Sequence, residues 1–237
     1  MVIVEIGPNR MKHYVHKALL QYHSEYFRNA LRGPWKEAMD GVVSLEDVQP
    51  AVFSLFVHWL YSQSFPTSDS EWKEVLQIPD NVALNNIRFA RCIESYIFGG
   101  CFLAPGFCRA ASSAFAAMRH RTEFWTASCL AIVKLAFSSL PPSCIVLQLM
   151  VDDYRRCWAH RYRSAVAFTP DGQSRLPRAL LGRVMRSYHQ MSEGDSNEEH
   201  GLILSRCYVE HQDDTEKEGC SKEHMVYNEE EGCGYFH

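Results

Sequence analysis

The residue types best suited to chemistry gather near the C-terminus. Cys207 and His211, Cys220 and His224, and Cys233 and His237 are three Cys-x-x-x-His pairs, with Glu-Gly before both Cys220 and Cys233. Cysteine and histidine are the usual zinc ligands, and two such pairs would supply a tetrahedral set. A helix could present each pair on one face, but Gly219 and Gly232 interrupt it, and nothing apolar adjoins to pack around a metal. A flexible acidic tail is the competing reading, and no metal or other cofactor site is assigned. His13 and His16 could chelate a metal only from a helix, and their stretch reads as extended.

Arg155-Arg-Cys-Trp-Ala-His-Arg-Tyr-Arg163 offers arginines for phosphates and Trp158 or Tyr162 for stacking. On a helix those arginines spread over more than one face, and Asp152-Asp153 offset their charge, so nucleic acid is not an expected partner. Catalytic signatures are missing from the sequence. It has no Gly-x-x-x-x-Gly-Lys or Gly-x-Gly-x-x-Gly loop, no His-Glu-x-x-His and no Gly-x-Ser-x-Gly elbow. An enzyme is not expected, and no catalytic residue is assigned.

The elements that position these residues fall into two stretches. Residues 1–6 alternate poorly but are β-branched, and Gly7-Pro8-Asn9 makes a turn from which 12–16 can pair back. Leu19, Leu20, His23, Tyr26, Phe27, Ala30 and Leu31 then follow helical spacing up to Gly33-Pro34. Residues 41–48 read as a third strand, with Val43 and Leu45 on one face. Pro50 suits a helix first turn, and 51–61 is apolar on nearly every side, which predicts a buried helix. Within it, Phe53, Phe56 and Leu60 read as core, while His58 and Tyr61 could equally face a partner.

Residues 66–71 read as a polar connector, followed by a helix over 84–98 that stops at a Gly99-Gly100 cap. Further helices are expected over 105–118, 124–137, 145–162 and 176–191. Strands and helices first, helices only afterwards, predict an α+β domain with a helical extension.

Composition supports an ordinary folded chain. The 237 residues are 46% hydrophobic and 12% aromatic, enough for a sizeable core. The net charge of −4 argues against a general polyanion binder. Nine cysteines, an odd number scattered through apolar segments, read as reduced thiols of a protein in the cytoplasm or nucleus. No secretory leader or membrane span is read, so no membrane partner is expected.

Several ordered blocks carry a family resemblance. Tyr14-Val-His-Lys-Ala-Leu-Leu and Ser24-Glu-Tyr-Phe-Arg-Asn-Ala-Leu are followed by Trp35-Lys-Glu-Ala and Val42-Val-Ser-Leu-Glu-Asp-Val. Next come Pro50-Ala-Val-Phe, Phe56-Val-His-Trp-Leu-Tyr and Ile97-Phe-Gly-Gly-Cys-Phe-Leu-Ala-Pro. Together they resemble the BTB/POZ signature, and the wording around Trp35 and Trp59 looks like the fungal group of that family. The resemblance covers about residues 1–120.

It implies a helical cluster flanked by a small sheet, without an active site, used for dimerisation and for docking proteins. Some relatives present substrates to a cullin-based ubiquitin ligase, and others act in transcription as nuclear scaffolds or cofactors that self-associate. Many relatives add an N-terminal helix exchanged across the dimer, and an acid facing the residue that matches Lys17. This sequence starts at Met1-Val-Ile without either, so Lys17 is expected to reach solvent. The expected organisation is a BTB/POZ domain over 1–120, an all-α extension over 121–191 and a disordered acidic tail over 192–237. Partners are expected to be other proteins, a cullin-type scaffold or a transcriptional partner, with a homodimer as a further option. His16, Lys17, Tyr26, Phe27, His58 and Tyr61 are the residues assigned to protein interaction.

Overall fold

The computed structural model describes residues 1–119, 129–160 and 175–192, together with 208, 210, 211, 215, 216, 218 and 219. The chain divides into two units, Met1–Ala114 and Phe115–His237.

In the first unit, β1 (Val2–Ile6) lies between β2 (Met11–Val15) and β3 (Val42–Leu45). It runs antiparallel to β2 and parallel to β3, pairing Ile3 with Tyr14 on one side and with Val42 on the other. Burial along β1 alternates where the residue types hardly do: Val2, Val4 and Ile6 face the core, while Ile3 and Glu5 face outward. β-branched residues on both faces conceal the period, because Ile3 is as apolar as its buried neighbours.

The helix expected across 19–31 is two helices, α1 (Lys17–His23) and α2 (Glu25–Ala30). Between them Ser24 is extended, and its hydroxyl accepts from the Phe27 N–H at 3.2 Å as the N-cap of α2. Arg28 closes the end of α1 by donating to the carbonyls of Gln21 and Tyr22. A short α3 (Lys36–Asp40), absent from the sequence reading, precedes β3 and ends at Gly41, which has φ +65°.

α4 (Pro50–Ser62) supplies the centre of the core. Phe53, Phe56, Trp59 and Leu60 are buried, and the Phe56 ring lies 5.1–6.2 Å from those of Phe27, Phe53, Trp59, Phe98 and Phe107. The expected connector at 66–71 instead opens a helix, α5 (Asp69–Leu76). Ser68 and Glu71 form a capping box there, a Ser-x-x-Glu signal legible in the sequence.

α6 (Asn85–Cys101) runs past Gly99 and Gly100, so these glycines are not its cap. A Cβ on Gly99 would stand 2.6 Å from Cys108 Sγ and 3.1 Å from the Cys108 backbone N. Gly99 therefore permits close approach of α7 (Pro105–Arg119).

Burial of two imidazoles ties the stability of this unit to pH. The His13 ring packs edge-on against Phe53 at 5.0 Å, with Nε2 buried and lacking a hydrogen bond. His23 packs between Tyr22 and Trp59, and its Nε2 accepts from Gln63 Nε2 at 3.3 Å. Burial pushes both pKa values below their usual range. On acidification the unfolded chain takes up these protons first. The associated stability is present above the unfolded value near 6.5 and is lost as pH falls toward the folded values. The urea midpoint should drop between about pH 7.5 and about pH 5, and less so in His13→Phe. A flat profile would contradict this burial.

The described elements of the second unit are α8 (Cys129–Ser139), α9 (Ile145–His160) and α10 (Arg178–Ser192). Leu147, Val151, Tyr154, Leu180 and Val184 are buried. Asp152 is buried too; Gln148 Nε2 donates to its Oδ1 at 2.9 Å and Tyr208 Oη to its Oδ2 at 2.9 Å. Arg155 is buried near Asp152, with its guanidinium 5.0 Å from the centre of the Tyr188 ring. That position denies it to nucleic acid. The side chains from Arg156 to Arg163 lie outside the described residues. So do Cys207, Cys220, His224, Cys233 and His237, leaving His211 alone of the three Cys/His pairs within them. Among the described residues, no group of three or more His, Cys, Asp and Glu could hold a metal. Among the same residues, no helix is long and apolar enough to cross a membrane.

Candidate protein-interaction surface

β2 delivers His16 to the start of α1, where its backbone dihedrals are extended as an N-cap requires. The Tyr61 hydroxyl, from the last turn of α4, meets it there. It accepts from the His16 backbone N–H at 3.3 Å and hydrogen-bonds Nδ1 at 2.7 Å. Two of the assigned residues are thus joined across 45 positions of sequence and stay exposed, with Tyr61 at 51%. Lys17 is half-buried, beside them in sequence, and makes no ion pair with a described residue. His58 is half-buried one turn earlier on α4, and its carbonyl accepts from Ser62 Oγ.

Tyr26 and Phe27 are adjacent but point to different places. Tyr26 is partly exposed, edge-on to Phe102 at 4.8 Å. Burial, and then the negative charge of Glu37, raise its hydroxyl pKa. Phe27 does not belong to any surface. Its ring is fully buried and stacks on Phe102 and Phe56, because on α2 it faces the core helix α4. Assigning it to partner contact is corrected accordingly.

The largest exposed apolar groups near Tyr26 escaped the sequence reading as site residues. Trp35 is 61% exposed and Met39 is 75% exposed, at the start and the fourth position of α3. An i, i+4 spacing places them on one face of that helix. One side of the Trp35 ring lies against Gly33, where a Cβ would come within 2.5 Å of ring atoms. The ring is held in place yet open to solvent. Leu103, half-exposed with φ +50°, adjoins α2: its carbonyl accepts from the Glu25 N–H at 3.2 Å. The available signal was a tryptophan and a methionine i, i+4 apart beside Gly33-Pro34, a polar turn that a core would not use.

The surface has no chemistry of its own beyond hydrogen bonds and apolar contact. It consists of aromatic and sulfur-containing anchors on short helices, backed by a dense aromatic core. Buried aromatic anchors dominate protein–protein hot spots, and methionine adapts its shape to a partner.

Residues 2–90 match the family model of the BTB/POZ domain. The first unit carries a BTB/POZ domain. BTB/POZ domains are protein-interaction modules, and the match spans the sheet, α1 to α5 and the start of α6. No curated protein matches the chain.

Proposed function

We propose that the BTB/POZ domain of this chain docks partner proteins through the corner made by α2, α3 and Leu103, as a substrate adaptor of a cullin-RING ubiquitin ligase. The observation that carries the reading is Trp35, seated on Gly33 and exposed beside Met39. A ring that already rests on the backbone at Gly33 has fewer rotamers to lose on docking.

Light scattering after size exclusion tests it, with the full chain mixed with a cullin N-terminal fragment at micromolar concentration. Co-elution is expected, and Trp35→Ala combined with Met39→Ala should weaken it by about 30-fold or more, as loss of a hot-spot anchor does. Both side chains are largely exposed, so stability should change by less than about 0.5 kcal/mol. Absence of co-elution would sink the adaptor reading.

A second reading, a nuclear scaffold or transcriptional cofactor that self-associates through the domain, draws support from the sheet. Ile3, Tyr14 and Val42 form an apolar row across its outward face, with Tyr14 exposed. A dimer that ignores the cullin fragment in the same measurement would favour it. Either role would operate in the cytoplasm or nucleus.

A further inference from the structure

We infer that the second unit carries a binding site for an acidic peptide, in an open cavity of about 470 Å³ between the C-terminal half of α8 and the start of α10. Lys134, Arg175 and Arg178 stand around it, and among the described residues no carboxylate belongs to its lining. All three cations are exposed, and none makes an ion pair with a described residue. Its walls include Leu135, Phe137 and Leu176. A fourth cation, Arg183, sits over the Phe137 ring at 5.7 Å and is held there by donating to the Pro142 carbonyl at 2.6 Å.

The surroundings make this cluster informative. The chain as a whole carries more acid than base, with 28 Asp and Glu against 24 Lys and Arg. Cations without a carboxylate among the described lining residues are therefore a local reversal of sign. Exposed charges act over about 8 Å at physiological salt, so cations that share one cavity add their fields there. The first turn of α10 adds backbone N–H groups without intrahelical acceptors, which favour the same sign of ligand.

The arrangement selects among anions. Cations dispersed over two elements, with no buried polar cradle, suit several separated carboxylates better than one compact phosphate. Apolar walls among them suit a large aliphatic or aromatic side chain lying between those carboxylates. Nucleic acid fits less well, since its dense, evenly spaced phosphates call for more cations than this cavity presents. The site lies wholly within the unit Phe115–His237, so its test is independent of what the BTB/POZ domain binds.

The test is fluorescence anisotropy on the full chain, with a labelled peptide in which glutamates flank a single leucine. Saturable binding that weakens with salt is expected. Lys134→Glu with Arg178→Glu should weaken it about tenfold or more, as loss of charge complementarity does. Arg175→Ala and a leucine-to-glycine peptide should each show a smaller loss. The far-UV circular dichroism of the variants should match the parent, because the altered residues are exposed. Equal binding by the charge-reversed variant would overturn the proposal. So would no saturable binding by the parent chain, or tighter binding of a thymidine oligonucleotide than of the peptide.

Discussion

Phe56→Ala should destabilise the BTB/POZ domain by about 3–5 kcal/mol, the cost of emptying a filled aromatic site. Phe56 is fully buried at the meeting point of α2, α4, α6 and α7, with five aromatic rings around it. Those rings contact one another as well, Trp59 with Phe107 at 5.4 Å and Phe98 with Phe107 at 6.0 Å. Because they brace each other, they cannot all move inward to close the space. A loss of that size is a large part of the total stability of an ordinary domain. Hydrogen exchange of the β1 and α4 amides reads this unit separately from the second one. Protection in both elements should fall together by two to three orders of magnitude, roughly 3–4 kcal/mol on the exchange scale. A drop of less than tenfold would mean that the aromatic cluster is not packed as described.

Ser24→Ala should cost about 2–3 kcal/mol, more than an ordinary helix cap. Ser24 is fully buried and its hydroxyl serves two elements at once. It accepts from the Phe27 N–H to start α2 and donates to the Phe102 carbonyl at 2.6 Å, from a segment 78 positions away. Alanine leaves both backbone groups without that partner, the Phe27 N–H in a buried site and the Phe102 carbonyl in a partly buried one, where an unmet hydrogen bond costs more than a made one contributes. Ser68→Ala provides the comparison. That cap is exposed, water can replace its hydroxyl, and the loss should stay near about 1 kcal/mol. Chemical denaturation of the two variants should therefore rank them Ser24 far above Ser68. Equal losses would show that the Ser24–Phe102 link contributes nothing beyond capping.

These two residues mark how far local pattern reaches. The period of α4 showed a helix buried on nearly all sides, and Phe53, Phe56 and Leu60 are core as that pattern requires. At Ser24 the helical spacing continued through the break, since Leu20 and Phe27 both face inward from separate helices. Apolar spacing records which way side chains point, and two short helices in line point them almost as one long helix would. The Ser68-x-x-Glu71 box was open to reading but was overshadowed by its polar surroundings. Gly99 illustrates a different limit. Glycine at a helix end and glycine under a crossing helix are the same letter, and only the position of Cys108 separates them.

The candidate surface divides in the same way. In the sequence His16 read as a histidine of the strand-to-helix junction and Tyr61 fitted core and surface equally; their 2.7 Å contact depends on β2 and α4 ending at one place. Tyr26 and Phe27 look equally suited to a partner in sequence, and the tertiary structure gives one to the surface and one to the core.

By itself the sequence determined the three strands, the turn after Gly7, the buried helix that opens at Pro50 and the BTB/POZ character of the first unit. Those depend on interactions within a few residues of one another, and so are written locally. The tertiary structure alone decided the bridging role of Ser24, the exposure of Trp35 and Met39, the burial of Phe27 and the gathering of Lys134, Arg175 and Arg178 around one cavity. Burial and charge balance are properties of what arrives from elsewhere in the chain, and no window of neighbouring residues contains that information.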